Sequence, residues 1–410
     1  MGEFETLNPY SLKPLNKERC NLTSTHPNSV EVIQRAEAWL NTQFFERREV
    51  IHGLWLALVA RQHVVLLGPP GAAKTALAEL FARVVSLKYW STLLTRFSTP
   101  EELFGPLSLK GLDQDAYRRI GTGRLPDAEV ALVDEIFKAN SAILNTMLPV
   151  MNERVWFNDG QRLPLPLQLM IGASNEMPES EELNALWDRF ALRYEVNYIQ
   201  DPQSWDQWMT TMADPASVQS AVPMTVDVSE IVFLQDLVEK VDARPIIPTL
   251  GALKSALAQE GIRLSDRRWG VAIRLIRAEA VLNGRDVATA DDVRAVIGAL
   301  WDTPEQQTTV SCVVLGLVAP NELEALSLRD DAHELLRAVA EAPSDKERVE
   351  KAQEAGIGLK RLHNQAMRLL SDAKKSGHAT NVIQEISDEI TERQRNVLRE
   401  VLEIDMGGTQ

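Results

Sequence analysis

The chain has 410 residues, of which 45% are hydrophobic and 25% are charged, and its net charge is −15. A chain of this length can bury a sizeable core and is expected to divide into two or three domains. Its acidity argues against nonspecific nucleic-acid binding, and its apolar runs are too short for a membrane span. Two cysteines and six scattered histidines exclude a disulfide framework and show no metal-ligand spacing. No signal-peptide pattern is visible, so we expect a cytoplasmic protein.

In chain order, residues 1–29 are polar and predict a loosely ordered leader. A helical pattern begins at Ser29, and a second helix follows from about Arg48. Strands and helices then alternate as far as residue 200, which predicts an α/β fold with a parallel sheet and a ligand site at the carboxyl ends of its strands. The predicted strands are residues 63–67, 90–95, 129–133, 167–173 and 194–198.

The segment that follows the first predicted strand carries the strongest motif. A Gly/Pro-rich turn leads from the strand into an amphipathic helix that opens with Lys74 and Thr75. Backbone N–H groups at such a helix start can surround a polyphosphate, with the lysine on the β- and γ-phosphates of ATP and the threonine hydroxyl on Mg²⁺. The predicted nucleotide-binding residues are Gly68, Pro69, Pro70, Gly71, Ala72, Ala73, Lys74, Thr75 and Ala76.

One residue departs from the usual phosphate-loop pattern. Ala73 stands where the second glycine of G-x-x-x-x-G-K-[ST] is expected. Alanine has the smallest side chain that carries a Cβ, so the backbone can still approach a phosphate if φ is negative at this position. The alternative is an ordinary strand-to-helix turn with a chance Lys-Thr pair.

Two adjacent carboxylates end the third predicted strand and support the loop assignment. Asp134 is expected to hold Mg²⁺ through its water shell, and Glu135 to orient and polarise the attacking water. At a strand's carboxyl end both side chains can reach the ligand crevice. The alternative is a solvated acidic turn, against which the phosphate loop in the same chain argues.

Several motifs together resemble the MoxR group of AAA+ ATPases, and within it RavA-like proteins. They occur in the AAA+ order and include Gly68–Thr75, Leu132–Ile136, Ala173–Glu176, Leu186–Phe190 and Ser265–Trp269. Thr95–Leu107 and the Asn152-Glu-Arg154 motif also fit this group. The resemblance covers roughly residues 30–302, while residues 304–410 match no family that we can name.

This resemblance implies an αβα core with a small helical lid, assembled into a ring that is usually a hexamer. We place the core at residues 30–202, the lid at 226–302 and a helical C-terminal region at 304–410. Segments near 105–127 and 152–168 resemble insertions that project toward the pore or ring face. Asp-Gly within the second predicts a hairpin, and we favour packing of Trp156 and Phe157 over substrate contact.

The resemblance also implies roles for polar residues outside the phosphate loop. Asn175 matches sensor 1, which contacts the γ-phosphate and the attacking water. Arg189 matches an arginine finger acting in trans on the neighbouring subunit's nucleotide, with Arg193 as the rival candidate. Arg267 matches sensor 2 and is expected to reach the γ-phosphate of its own subunit. Arg268 is the alternative, because the two lie about 100° apart on a helix and only one should face the nucleotide.

In the C-terminal region, Ile383, Ile390, Val397 and Ile404 repeat every seven residues, with Arg393 interrupting the complementary seam. We favour a helix packed on its own helical domain over a partner-binding coiled coil.

Three functions are compatible with these observations. The leading one is an ATPase ring that remodels a protein partner, because MoxR-like proteins commonly work beside a von Willebrand factor A domain protein. The second is a nucleic-acid motor, against which the acidity and the lack of a basic stripe argue. The third is a nucleotide-gated scaffold, against which Asp134, Glu135 and Arg189 argue. A homo-oligomeric ring without nucleic acid or membrane span is therefore predicted.

Overall fold

The computed structural model describes residues 29–213, 222, 224–376 and 380–400, so the predicted leader at 1–28 lies outside it. The strands are β1 (Val64–Leu67), β2 (Tyr89–Leu93), β3 (Val130–Asp134), β4 (Val155–Asn158), β5 (Gln161–Pro164), β6 (Leu169–Ser174) and β7 (Leu192–Glu195). The helices are α1 (Ser29–Gln43), α2 (Arg48–Val59), α3 (Lys74–Val84), α4 (Pro100–Phe104), α5 (Leu109–Leu112), α6 (Ser141–Glu153), α7 (Glu181–Trp187), α8 (Pro202–Ala213), α9 (Val228–Val238), α10 (Ile247–Gln259), α11 (Asp266–Leu282), α12 (Pro304–Val318), α13 (Pro320–Ala340), α14 (Asp345–Ser376) and α15 (Asn381–Glu400). Short 3₁₀ helices lie at 125–127, 136–138 and 244–246, and a longer one at 290–299.

Five parallel strands form the central sheet in the order β2-β3-β6-β1-β7. The three inner strands β3, β6 and β1 are almost continuously apolar and buried, as expected for strands covered on both faces, whereas the edge strands β2 and β7 carry polar residues. All five predicted strands are present with shifted bounds. Since the strands run in one direction, the sheet has a carboxyl edge, where every strand ends, and an amino edge, where every strand begins. These two edges organise the candidate site.

The two predicted insertions contact each other beside the core. The turn at Asp159 and Gly160, both with positive φ, joins β4 to β5 as the Asp-Gly signal predicted. Asp159 Oδ1 accepts the Tyr117 N–H at 2.9 Å, so the hairpin is fastened to the segment that carries α5. Trp156 is buried and stacks on Phe104, which confirms the packing interpretation, whereas Phe157 is 59% exposed.

Helices α9 to α11 and the 3₁₀ helix at 290–299 occupy the range predicted for the lid, although the domain boundaries themselves stay predictions. Helix α11 packs on α9 and on α2 of the core. Within the described ranges, no helix combines the length and apolarity needed to cross a membrane.

Helices α13, α14 and α15 form a separate C-terminal bundle with its own apolar core. Ile383, Ile390 and Val397 of the heptad stripe are buried in that core, which confirms the packed-helix interpretation, and Ile404 lies outside the described residues. Arg393, which interrupts the seam, is ion-paired with Asp201 just before α8. The interruption therefore marks the side of α15 that contacts the α/β core.

Candidate active site

The loop after β1 is tightly packed and carries Lys74 back to its own start. Gly68 has a φ of +154°, and a Cβ on it would lie 2.1 Å from the Val196 carbonyl oxygen, so no other residue fits there. Lys74 begins α3 and donates from Nζ to the carbonyl oxygens of Gly68 at 2.6 Å and Pro69 at 2.9 Å. The Lys74 ammonium group can exchange these carbonyl acceptors for the oxygens of a phosphate.

The condition of a negative φ at Ala73 is not met. Ala73 has φ +63° and ψ +20°, the left-handed conformation that glycine adopts without penalty. A Cβ in this region costs roughly 1–2 kcal/mol. The loop therefore keeps the shape of a glycine-containing phosphate loop and carries local strain.

The acidic pair lies at the same edge of the sheet as the loop. β3 ends at Asp134, whose Oδ1 accepts the Glu135 N–H at 3.0 Å. Glu135 is also left-handed, at φ +54°, and its Oε2 lies 3.1 Å from Lys138 Nζ. Burial lowers the pKa of Lys74, while the negative charges of Asp134 and Glu135 oppose that shift, which indicates that all three groups share one electrostatic environment.

Asn175 also follows the carboxyl edge. It comes directly after Ser174, whose carbonyl oxygen accepts the Gly68 N–H at 2.9 Å, and it is exposed beside the loop. The structure thus brings the predicted sensor 1 position next to the phosphate loop.

The oxygen donors present fit a magnesium ion bound together with a nucleotide. Thr75 is exposed at the start of α3, and the Asp134 carboxylate is half-buried at the end of β3. Among the described residues, no cluster of three or more Asp, Glu, His or Cys side chains could hold a metal alone. Mg²⁺ usually takes one or two carboxylates and completes its shell with substrate phosphates and water.

The segment after β7 is a part of the site that sequence reasoning missed. The strand ends at Glu195, three residues earlier than predicted, and the chain then turns along the phosphate loop. Tyr198 Oη donates to the Pro70 carbonyl oxygen at 3.0 Å, and Val196 closes on Gly68. The predicted strand at 194–198 includes both residues, but nothing in that pattern indicates that they contact the phosphate loop.

Arg189 lies at the other edge of the sheet. It follows α7 and precedes β7, whose first residue, Leu192, pairs in register with Val64 of β1. Lys74 follows the last residue of β1, and a four-residue parallel strand spans roughly 13 Å. Arg189 is therefore separated from its own phosphate loop by the length of the sheet. Burial and the charge of Arg267 lower the pKa of Arg189, and Asp188 opposes both.

The expectation that Arg267 reaches the γ-phosphate of its own subunit is wrong for this structure. Arg267 lies at the amino edge, where Nη2 donates to Asn152 Oδ1 at 2.7 Å and Nη1 lies 3.5 Å from Asp188 Oδ2. The lid helix α11 presents it beside Arg189, because α11 starts at the ends of α6 and α7 rather than above the loop. Arg267 is 49% exposed, whereas Arg268 is 5% exposed and bonded to Asp188 and the Ala299 carbonyl oxygen.

Arg193, the rival arginine finger, is fully buried. Its guanidinium lies 4.2 Å from the centre of a Trp187 ring and pairs with Asp302 at 2.8 Å. Burial lowers the pKa of Arg193 to about 9, with the neighbouring Arg268 acting in the same direction. A side chain held in this way cannot reach another subunit, so Arg189 is the better placed candidate.

Arginines dominate the amino-edge cavity, which has a volume of about 140 Å³. The one carboxylate among its described lining residues is Asp188. The arginines that line it are Arg61, Arg154, Arg189, Arg267, Arg268 and Arg274. Burial and the charges of Arg61 and Arg274 lower the pKa of Arg154 to about 10. Among the described lining residues, six guanidiniums thus face a single carboxylate, and this excess of positive charge suits a further oxyanion.

Residues 31–235 match the family model described as the MoxR domain in the MoxR-vWA-beta-propeller ternary systems, and residues 245–314 match an AAA lid domain. The chain belongs to the MoxR family of AAA+ ATPases. It is 35% identical over 317 residues to an uncharacterised protein of Methanocaldococcus jannaschii, covering 77% of this chain and 83% of that relative. It is also 25% identical over 201 residues to Chaperone MoxR1 of Mycobacterium tuberculosis, covering 48% of this chain and 52% of the relative.

The fold has a counterpart among solved structures. A putative ATPase from Cytophaga hutchinsonii superposes with a TM-score of 0.57 at 18% identity, covering 70% of this chain and 94% of the other. At that identity the likeness concerns the fold. The α/β AAA+ core with a helical lid and C-terminal helices is thus established for this MoxR-type chain, while the narrower RavA-like resemblance stays a prediction.

Proposed function

We propose that this MoxR-family protein forms a hexameric ring, in the usual AAA+ manner, that couples Mg-ATP hydrolysis to the remodelling of a protein partner in the cytoplasm. The observation that carries the proposal is the division of the candidate site between two edges of the sheet. Lys74, Asp134 and Glu135 lie at the carboxyl edge, while Arg189 and Arg267 lie at the amino edge. One subunit alone therefore cannot bring all of these groups to a single nucleotide.

A neighbouring copy can complete the set. The cavity around Arg189 carries unbalanced positive charge, and the nucleotide that the phosphate loop would bind carries a polyphosphate of opposite charge. A heterologous, head-to-tail contact places one subunit's amino edge against the next subunit's carboxyl edge, and such contacts generate rings when the rotation closes. In this arrangement both Arg189 and Arg267 act in trans.

Each residue then has a separable task. Lys74 neutralises the β- and γ-phosphates, and Asn175 and Glu135 orient the attacking water. Glu135 is held by Lys138 at 3.1 Å and must exchange this partner for water to act as a base. Mg²⁺, held through Thr75 and Asp134, would supply charge neutralisation on the phosphate oxygens. The planar, permanently charged guanidinium of Arg189 suits the charge that develops on the transferred phosphoryl group.

The proposed partner is a protein that contains a von Willebrand factor A domain. The matched family model is described by ternary systems of MoxR, vWA and beta-propeller proteins, and this supports the partner class. A surface for it is available on the two joined insertions, where Leu109, Tyr117 and Phe157 are exposed. Exposed apolar groups that are gathered on one surface favour protein contact.

The direct test of the ring proposal is the dependence of ATPase activity on protein concentration. Specific activity should rise with concentration until it reaches a plateau, and mass photometry should show rings forming over the same range. Arg189→Ala and Arg267→Ala should still bind a fluorescent ATP analogue while turnover falls. A constant specific activity from a monomeric population would contradict the proposal.

A further inference from the structure

Asn152 and Asp188 hold Arg267 from two different parts of the core. Asn152 lies in the last turn of α6 and accepts from Arg267 Nη2 at 2.7 Å, and Asp188 directly follows α7 and approaches Nη1 at 3.5 Å. Arg267 itself belongs to the first turn of the lid helix α11. The contacts therefore join the lid to the core at the Arg267 guanidinium.

Asp188 is itself fixed by a buried neighbour. Its Oδ1 accepts from Arg268 Nη2 at 3.0 Å, and Arg268 is anchored by a second bond to the Ala299 carbonyl oxygen at 2.9 Å. One carboxylate thus places its two oxygens on two consecutive arginines of α11. Because Arg268 is buried, it acts as the fixed point from which Asp188 orients Arg267.

Charge makes these acceptors necessary. Arg189 and Arg267 line the same cavity, so two like charges face each other there. Burial and then the positive charge of Arg267 lower the pKa of Arg189, in keeping with that arrangement. Without Asp188, the half-exposed Arg267 side chain would reduce its repulsion with Arg189 by rotating into solvent. An arginine on a long flexible stem needs fixed acceptors to remain in one orientation, and catalysis is sensitive to misplacement of about 1 Å.

We propose that Asn152 and Asp188 are positioning residues that hold Arg267 in the orientation from which it meets the phosphate of the neighbouring subunit's nucleotide. The inference rests on the proposed function, because Arg267 has a task only in an assembled site. The lid therefore contributes to hydrolysis in the neighbouring subunit only while it is docked on its own core. Displacement of the lid would then withdraw Arg267 while leaving Arg189, which belongs to the core, in place.

The test is a double-mutant cycle on turnover. Asn152→Leu removes the acceptor at similar volume, and Asp188→Asn removes the charge. Each is measured alone and in an Arg267→Ala background, by a radiometric phosphate-release assay that resolves slow turnover. Alone, each should lower kcat about 10-fold while the KM for ATP stays within about 2-fold, because the phosphate loop is intact. In the Arg267→Ala background neither should lower kcat further.

Controls separate positioning from folding. Glu153→Gln is the match for Asn152→Leu, since Glu153 is the next residue but pairs at the surface with Arg162. Glu181→Gln, at the exposed start of α7, is the match for Asp188→Asn. Both should retain wild-type kcat, and all variants are checked for ring assembly and melting temperature. If Asp188→Asn fails to fold, Asn152→Leu carries the test.

The two ways of failing are distinct. Full turnover by Arg267→Ala would remove Arg267 from the reaction and so contradict the proposed function. Loss of turnover in Arg267→Ala with normal kcat in both Asn152→Leu and Asp188→Asn would overturn the positioning role alone. An equal additional loss in the Arg267→Ala background would also overturn it, because the residues would then act independently of Arg267.

Discussion

Lys74 and Arg189 lie at opposite edges of one parallel sheet, the first after the last residue of β1 and the second before the first residue of β7. The same separation holds for Glu135 and Arg267. Because β1 and β7 are paired side by side in register, no rotation of a side chain can bring the two sets together within one subunit. Assembly is therefore part of the proposed chemistry.

The first prediction concerns the catalytic base. Glu135→Gln keeps the shape of the side chain but cannot accept a proton, so turnover should fall by at least ~100-fold while ATP and Mg²⁺ binding persist. Lys74→Ala should instead weaken nucleotide binding, which isothermal titration can distinguish. Glu153→Gln is the surface control. Near-normal hydrolysis by Glu135→Gln would remove this residue from the mechanism.

The second prediction concerns the strained loop residue. Ala73→Gly removes the strain of a left-handed Cβ, which costs roughly 1–2 kcal/mol. It also raises the conformational entropy of the unfolded chain, which lowers the free energy of unfolding by about 0.4–1 kcal/mol. The melting temperature should therefore stay level or rise slightly, with ATP binding retained. Ala73→Val, which places a β-branched side chain at φ +63°, should lower the melting temperature and weaken ATP binding. A large loss of stability in Ala73→Gly would contradict the loop conformation.

The third prediction is a pH dependence that originates at His63. Its Nδ1 accepts the Met170 N–H and its Nε2 donates to the Met151 carbonyl oxygen, both at 3.1 Å, which fixes the neutral ring. Burial lowers its pKa to about 3, and the charge of Arg154 acts in the same direction. A histidine in the unfolded chain has a pKa of about 6.5. Between pH 6.5 and 3 the unfolded state therefore binds about one more proton than the folded state, and the free energy of unfolding falls as the pH falls.

Urea unfolding of wild type and His63→Gln from pH 7.5 to 4 checks this dependence. The variant should start less stable, because an amide replaces a fitted imidazole, but it should lose less stability on acidification. Parallel curves for the two proteins would show that His63 does not carry the proton linkage.

The fourth prediction separates the two arginines that the sequence offered as finger. Arg193→Ala empties a buried site and removes the contacts with Trp187 and Asp302, so the free energy of unfolding should fall by about 2–4 kcal/mol. Arg189→Ala removes a partly exposed side chain and should leave the melting temperature nearly unchanged while turnover is lost. The opposite pattern would exchange their roles.

Much of this arrangement could be predicted from sequence because it is local. Periodicity locates the strands, the Gly/Pro turn before Lys74 locates the loop, and Asp-Gly locates the hairpin. The rest depends on contacts between distant segments. Only packing reveals that Tyr198 touches Pro70, that Arg193 is buried on Trp187, and that the lid sets Arg267 beside Asn152 rather than above its own loop. The left-handed φ of Ala73 likewise follows from tertiary constraint and not from the preference of alanine.

The most direct test of the divided site is subunit mixing. Arg189→Ala lacks the trans half of the site and Glu135→Gln lacks the cis half, so each alone should be inactive. A ring that contains both will include interfaces where an intact Glu135 from one variant faces an intact Arg189 from the other. ATPase activity should therefore reappear on mixing, with a maximum at intermediate ratios. A mixture that stays inactive, although fluorescence energy transfer shows that the variants have co-assembled, would contradict catalysis across the interface.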